Sequence, residues 1–225
     1  TTHHSLLTTH DSLLTTHDSL LTIKHLIFDF GGVLCNINPE LTKQAFISLG
    51  LKKFDTGDSI TRSKGLFEQL EVGAIAPQDF RDQLKGFFEH PVSDEQIDTA
   101  WNALLLDLPE TRVKLLESVK KNYRIFLLSN SNEIHYICYA DRLHRQYGYE
   151  NFDALFEKAW FSFRIGLKKP SVEIFSHVLK DAGLDPAETL FIDDTLVHVE
   201  GARHAGLHAY HLDLIQGEEI TSLFR

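Results

Sequence analysis

Four short stretches carry the residue types that could do chemistry in this chain. They are Asp29-Phe30-Gly31-Gly32, Ser129-Asn130-Ser131-Asn132, Gly166-Leu167-Lys168-Lys169-Pro170 and Asp193-Asp194-Thr195. Taken singly, each has a plain structural use. An Asp or Asn after an apolar run caps a turn or a helix, and Lys-Pro before a helix is ordinary punctuation. Taken together they offer a different set. One carboxylate can attack phosphorus. Two adjacent carboxylates suit a hard cation such as Mg2+. A hydroxyl and a lysine can stabilise the equatorial oxygens of a phosphoryl group in transfer.

These residues need elements to position them. Apolar runs at 25–30, 124–129, 159–163, 189–193 and 207–212 read as buried strands. Helical stripes separate most of them: Val113, Leu116 and Val119; then Ile134, Ile137 and Cys138; then Val172, Phe175, Val178, Leu179 and Ala182; then Leu196, Val199, Ala202 and Ala205. Strands alternating with helices predict an α/β fold, a Rossmann-like parallel sheet sandwiched by helices. Residues 39–108 break the rhythm and predict three or four helices, at about 39–49, 63–72, 77–88 and 94–106. The expected organisation is therefore an α/β core of 23–38 and 109–225 with a helical cap, 39–108, inserted after the first strand. Ligands of open α/β sheets bind at the carboxyl ends of the strands, so such an insertion would lie over the site as a lid. Residues 1–22 form an extension built on three near-copies of a heptad, TTHHSLL, TTHDSLL and TTHDSLL. A poorly ordered extension is the expectation there, with a small docking helix as the alternative.

The order and spacing of the motifs resemble the haloacid dehalogenase superfamily of aspartate-nucleophile hydrolases. IFDFGGVL at 27–34, LLSN at 127–130, GLKKP at 166–170 and FIDDTLVHVEGA at 191–202 are similar to its four motifs in turn. The FEQLEVGAIAPQDF segment at 67–80 is similar to cap segments of the branch that holds α-glucose-1-phosphate phosphatase and the phosphatase domain of soluble epoxide hydrolase. The resemblance implies the following roles. Asp29 is the nucleophile and a metal ligand. Gly31 lends its carbonyl to the metal, Asp194 is the acidic ligand, and Asp193 positions water or Lys169. Ser129 donates to the phosphoryl group with Asn130 beside it. Lys169, immediately before the proline, neutralises the phosphoryl oxygens and Asp29, while Lys168 is one residue out of register.

The chain departs from the pattern at two places. Phosphatases of the superfamily usually have a second Asp two residues after the nucleophile, and here that residue is Gly31. General acid–base help of that kind is worth roughly 10²–10⁴-fold. His135, Asn36 and Asn38 are the nearest groups that could replace it. His198 stands where the fourth motif usually has Asp or Asn, and a neutral imidazole there can hydrogen-bond to the ligands. Cys35 reads as a small buried side chain. Glu68 and Glu71 read as a solvated helix face, with a face turned to the substrate as the alternative.

Composition narrows the partners. With 32 acidic against 22 basic residues and a net charge of -10, a general nucleic-acid backbone binder is excluded. No apolar run approaches the roughly 20 residues of a membrane span. Two cysteines, Cys35 and Cys138, make no disulfide framework, which predicts a cytoplasmic protein. Nothing in the pattern specifies an oligomeric state. The expected function is a Mg2+-dependent phosphatase of a small phosphorylated metabolite such as a sugar phosphate. A metal-independent 2-haloacid dehalogenase-type hydrolase and a degenerate binding protein are the alternatives.

Overall fold

The computed structural model describes residues 23–51 and 65–224. The heptad repeat and the start of the helix predicted over 63–72 lie outside them. Among the described residues, β1 (His25–Phe28), β2 (Arg124–Ser129), β3 (Lys158–Phe161), β4 (Thr189–Asp193) and β5 (His208–His211) form one sheet. Every pairing is parallel, and the order is β3-β2-β1-β4-β5.

Helices cover both faces, which is why the strands read as continuous apolar runs. The helices of this layer are α5 (Glu110–Val119), α6 (Glu133–Tyr147), α7 (Ser162–Ile165), α8 (Val172–Ala182) and α9 (Leu196–His204). Strand residues alternate between the faces with period two. Leu26, Phe28, Leu127 and Ile192 meet Val113 and Leu116 of α5 and Tyr139 and Leu143 of α6. Ile27, Phe126 and Phe191 meet Phe175 and Val178 of α8 and Val199 and Ala202 of α9. The Phe175 and Phe191 rings meet edge to face, with centroids 5.2 Å apart. That geometry adds about 0.5–1.5 kcal/mol to the area they bury.

Strand order decides where a ligand can go. The chain leaves β1 on one side for β2 and β3, then returns to its other side for β4 and β5. The reversal lies between β1 and β4 and opens a crevice beyond their carboxyl ends. The Asp29 N–H bonds the Ile192 carbonyl at 2.9 Å, which carries the ladder one residue past β1. Asp29 and Asp193 therefore face each other across the switch point.

The remaining helices are α1 (Pro39–Ser48), α2 (65–71), α3 (Pro77–Lys85) and α4 (Asp94–Asn102). They surround a second apolar cluster, with Phe46, Leu66, Leu70, Phe80, Leu84 and Ile97 at its centre and Ile134 of α6 joining it. The Phe67 ring stacks on Trp101 at 4.6 Å. Chain entry and exit run side by side. Ile37 pairs antiparallel with Leu105, and the Leu106 N–H bonds the Asn36 carbonyl at 2.9 Å.

Two sequence expectations need correction. The strand predicted over 159–163 stops at Phe161 and the chain turns into α7. The buried Ser162 hydroxyl accepts from the Ser131 N–H and donates to the Ser131 carbonyl, both at 2.9 Å. That exchange ties residue 162 to the loop after β2. The second correction concerns helix faces. Ile137, Val172 and Leu196 are exposed, and α6 turns Ile134, His135, Tyr139 and Leu143 inward. No described helix is long and apolar enough to cross a membrane.

Candidate active site

One buried cation sits between two carboxylates at the switch point. Lys169 arrives from the loop between α7 and α8. Its Nζ is 2.7 Å from Asp29 Oδ1 and 2.6 Å from Asp193 Oδ2, and its side chain is fully buried. Burial opposes the ammonium charge, but Asp193 and Asp29 together raise its proton affinity above that of a free lysine. Burial likewise opposes the Asp193 charge. Lys169 and His198 outweigh it and hold this carboxyl well below its usual range. Asp193 also accepts from the Thr195 N–H at 2.8 Å, and the His198 Nδ1 lies 3.1 Å from both its oxygens. Asp29 shares the same lysine with fewer helpers. Burial and the neighbouring Asp193 charge push its carboxyl up to about 7. Burial and Asp193 also raise half-buried Asp194.

Oxygens of Asp29, Asp193 and Asp194 lie within 4.8 Å of one another. Three carboxylates cluster around one lysine that pairs with two of them, so the cluster carries excess negative charge. An all-oxygen donor set with that charge fits a hard divalent cation. Gly32 makes the close approach possible. Its φ is +81°, and a Cβ there would stand 2.3 Å from Asp194 Oδ2. Gly32→Ala is therefore expected to displace Asp194 and to lower Mg2+ affinity at least about tenfold, the scale of a lost ligand-orienting contact. A Mg2+ titration followed by thermal melting reads this, and an unchanged midpoint would refute it.

The Ser129–Asn132 loop braces the site. Ser129 ends β2 and is buried. The Asn130 amide clamps the Lys169 backbone, donating to the carbonyl at 3.0 Å and accepting from the N–H at 2.9 Å. Ser131 bonds the buried Tyr139 hydroxyl at 2.6 Å. Asn132 caps α6 through the His135 N–H at 3.0 Å and accepts from the Trp101 indole at 3.3 Å.

None of the three groups suggested in place of the missing acid is placed to serve as one. The Asn36 amide donates to Asp107 at 2.9 Å, and Asn38 caps α1. Burial lowers His135 to about 3, so the ring is neutral at physiological pH. It stacks on Trp101 at 4.6 Å, with Nδ1 2.8 Å from Asn102 Oδ1. At Gly31 itself, a Cβ would come within 3.1 Å of the Ile37 Cδ1. Cys35 is buried, and desolvation pushes its thiol up to about 12.

Lys168 turns the other way, towards α2. Its Nζ lies 3.5 Å from Glu71 and 3.7 Å from Glu68. Glu71 is therefore part of a contact with the sheet layer, where its sequence suggested a solvated face. Two acids three residues apart on one helix are the only sequence trace of that contact.

The family model for haloacid dehalogenase-like hydrolases matches residues 23–206, from before β1 to just past α9, and takes in every residue of this centre. The chain belongs to the haloacid dehalogenase-like hydrolases. A D-ribitol-5-phosphate phosphatase from Bacteroides thetaiotaomicron is 30% identical over 188 residues, 84% of this chain and 91% of the relative. A sesquiterpene phosphatase from Aspergillus oryzae is 30% identical over 192 residues, 84% of this chain and 89% of the relative. A crystal structure of a haloacid dehalogenase-family enzyme from B. thetaiotaomicron, a magnesium complex, superposes with a TM-score of 0.82 at 36% identity. That match covers 91% of this chain and 99% of the other. The enzyme has also been solved with magnesium and inorganic phosphate.

Proposed function

We propose that this haloacid dehalogenase-like hydrolase is a Mg2+-dependent phosphatase. It hydrolyses a small phosphorylated metabolite, in the class of sugar and sugar-alcohol phosphates, through a phosphoryl-Asp29 intermediate. The observation that carries the reading is the buried Lys169 held between Asp29 and Asp193, within a three-carboxylate cluster at the switch point. Relatives named as phosphatases, and a similar structure holding magnesium and phosphate, support it.

Asp29, Asp194 and the Gly31 carbonyl would hold the cation, with Asp193 beside them. When bound, Mg2+ supplies the positive charge that lets an anionic carboxylate and an anionic phosphate ester approach each other. The chain's own groups do the rest. An Asp29 oxygen attacks phosphorus as the bond to the leaving oxygen breaks. Lys169 faces the developing charge with its position fixed in advance by Asn130 and Asp193. The Ser129 hydroxyl donates to a phosphoryl oxygen. Water then cleaves the acyl phosphate and returns Asp29. Residues 39–108 act as a cap that excludes bulk water and meets the leaving group.

Phosphate release from p-nitrophenyl phosphate and from a panel of sugar and sugar-alcohol phosphates tests this, with Mg2+ and with chelator. Release that needs the metal is the expected result. Halide release from a 2-haloacid that survives chelation would replace the reading with the dehalogenase type. Phosphate binding without turnover on any substrate would replace it with a binding protein.

A further inference from the structure

The two phosphatase relatives differ in the leaving group, a sugar alcohol in one and a sesquiterpene in the other. We infer that Lys168, Glu71 and Glu68 form the leaving-group subsite of this chain, and that they select a hydroxyl-rich leaving group over an apolar one. The inference rests on the phosphatase reading.

Position comes first. Lys168 immediately precedes Lys169, the lysine that bonds the nucleophile. The carboxylates that meet it come from α2, outside the sheet and its helices. The end of α2 is seated firmly there. Gly73 follows it with φ +66°, and a Cβ at that residue would stand 2.1 Å from the Phe163 carbonyl oxygen in α7. Glu71 thus meets Lys168 one residue along the chain from the lysine that bonds the nucleophile.

Chemistry comes second. The catalytic ion pairs are tight, at 2.6 and 2.7 Å, with Lys169 sealed from solvent. The Lys168 contacts are longer, at 3.5 and 3.7 Å, and the Lys168 and Glu71 side chains each stay about a third exposed, at 34% and 33%. A hydroxyl that donates to Glu71 and accepts from Lys168 can enter such a contact and satisfy both charges. A hydrocarbon chain cannot. It would strip water from three charged groups and return no hydrogen bond. A site built to hydrogen-bond a hydroxyl rejects analogues without one far more strongly than an apolar pocket rejects an added hydroxyl. Burial already holds the Glu71 carboxyl above its usual range, so it is partly stripped of water before any ligand arrives.

The test compares kcat/KM for ribitol 5-phosphate, farnesyl monophosphate and p-nitrophenyl phosphate in Mg2+. It uses the full chain and the variants Glu71→Gln, Lys168→Met and Lys168→Arg. Wild type is expected to favour the polyol phosphate over the isoprenoid phosphate at least about tenfold, below the 10⁴–10⁵ ceiling of buried hydroxyl recognition. Glu71→Gln and Lys168→Met should each cut that preference at least about fivefold, mostly through KM, and Lys168→Arg should cut it less. An isoprenoid preference in wild type, or a ratio that no variant changes, overturns the inference while p-nitrophenyl phosphate turnover keeps the phosphatase reading alive. Phosphate release from none of the three overturns both.

Discussion

Asp29→Asn is expected to lower phosphate release at least about 10⁴-fold, on the scale of losing a nucleophile, while the protein melts no lower than wild type. The two halves have one cause. Asp29 is buried next to the ionised Asp193, and its carboxyl is pushed up to about 7. Its charge is therefore unfavourable in the folded, metal-free protein. An unfolded Asp gives up its proton near pH 4, whereas the folded one holds it to about 7. Below pH 4 both states are protonated and this group leaves stability untouched. Between pH 4 and 7 the unfolded state binds fewer protons, so stability falls as pH rises, and above pH 7 the penalty is complete. Asn removes that slope and keeps the shape. Melting curves in chelator at pH 5, 6 and 7.5, beside a turnover assay, read both halves. Activity above about 1% of wild type would remove Asp29 from the nucleophile's role.

Lys169→Met should be the most damaging single change to the fold's charge balance. It leaves Asp29 and Asp193 buried without their shared cation. Breaking a buried ion pair by deleting one partner costs about 3–5 kcal/mol, because the other charge stays behind. The loss should be largest in chelator and smaller in Mg2+, which offers the same carboxylates a replacement charge. Turnover should fall about 10²–10³-fold even in saturating metal, the cost of one lost donor to a developing oxyanion. Lys169→Arg is not expected to rescue it, since a planar guanidinium does not fit the fully enclosed space of an ammonium. A Lys169→Met protein with wild-type melting in chelator would mean that the two carboxylates do not depend on this lysine.

Much of the architecture could be read from the residues, and the misses have physical causes. Apolar runs mark all five strands within two residues at either end, because strands covered on both faces are apolar over most of their length. Only the run at 159–163 was wrong in kind at one end. Phe163 has strand propensity, but a side-chain exchange between Ser162 and Ser131 competes for the backbone. No local pattern reports a partner 31 residues away. Asp29, Asp193, Asp194 and Lys169 stood out only as a set, because their order and spacing resemble the motifs of the family, while each alone suits a cap or a turn. The work of Asn130 did not stand out, because an Asn in a loop looks the same whether it faces a ligand or clamps a backbone. Glu71 was misplaced for a related reason. Which face of a short helix lies against the rest of the protein is decided by packing such as Gly73 on Phe163, not by the charge of the face.

The sheet order has a consequence for how the chain is made. The central strand, β1, is the first to be synthesised, and both of its neighbours come much later. Its register partners are Arg124–Leu127 on one side and Thr189–Ile192 on the other. At ordinary elongation speeds of about 5–20 residues per second, the first partner emerges on the order of ten seconds after β1 and the second later still. Throughout that time His25–Phe28, buried on every residue in the finished fold, has no strand to join. Helices α1–α4 emerge in the gap, and the apolar cluster they surround is completed only when Ile134 of α6 follows. A nascent chain halted near residue 120 should expose β1 to any chaperone that binds short apolar segments, and one released beyond β4 should not.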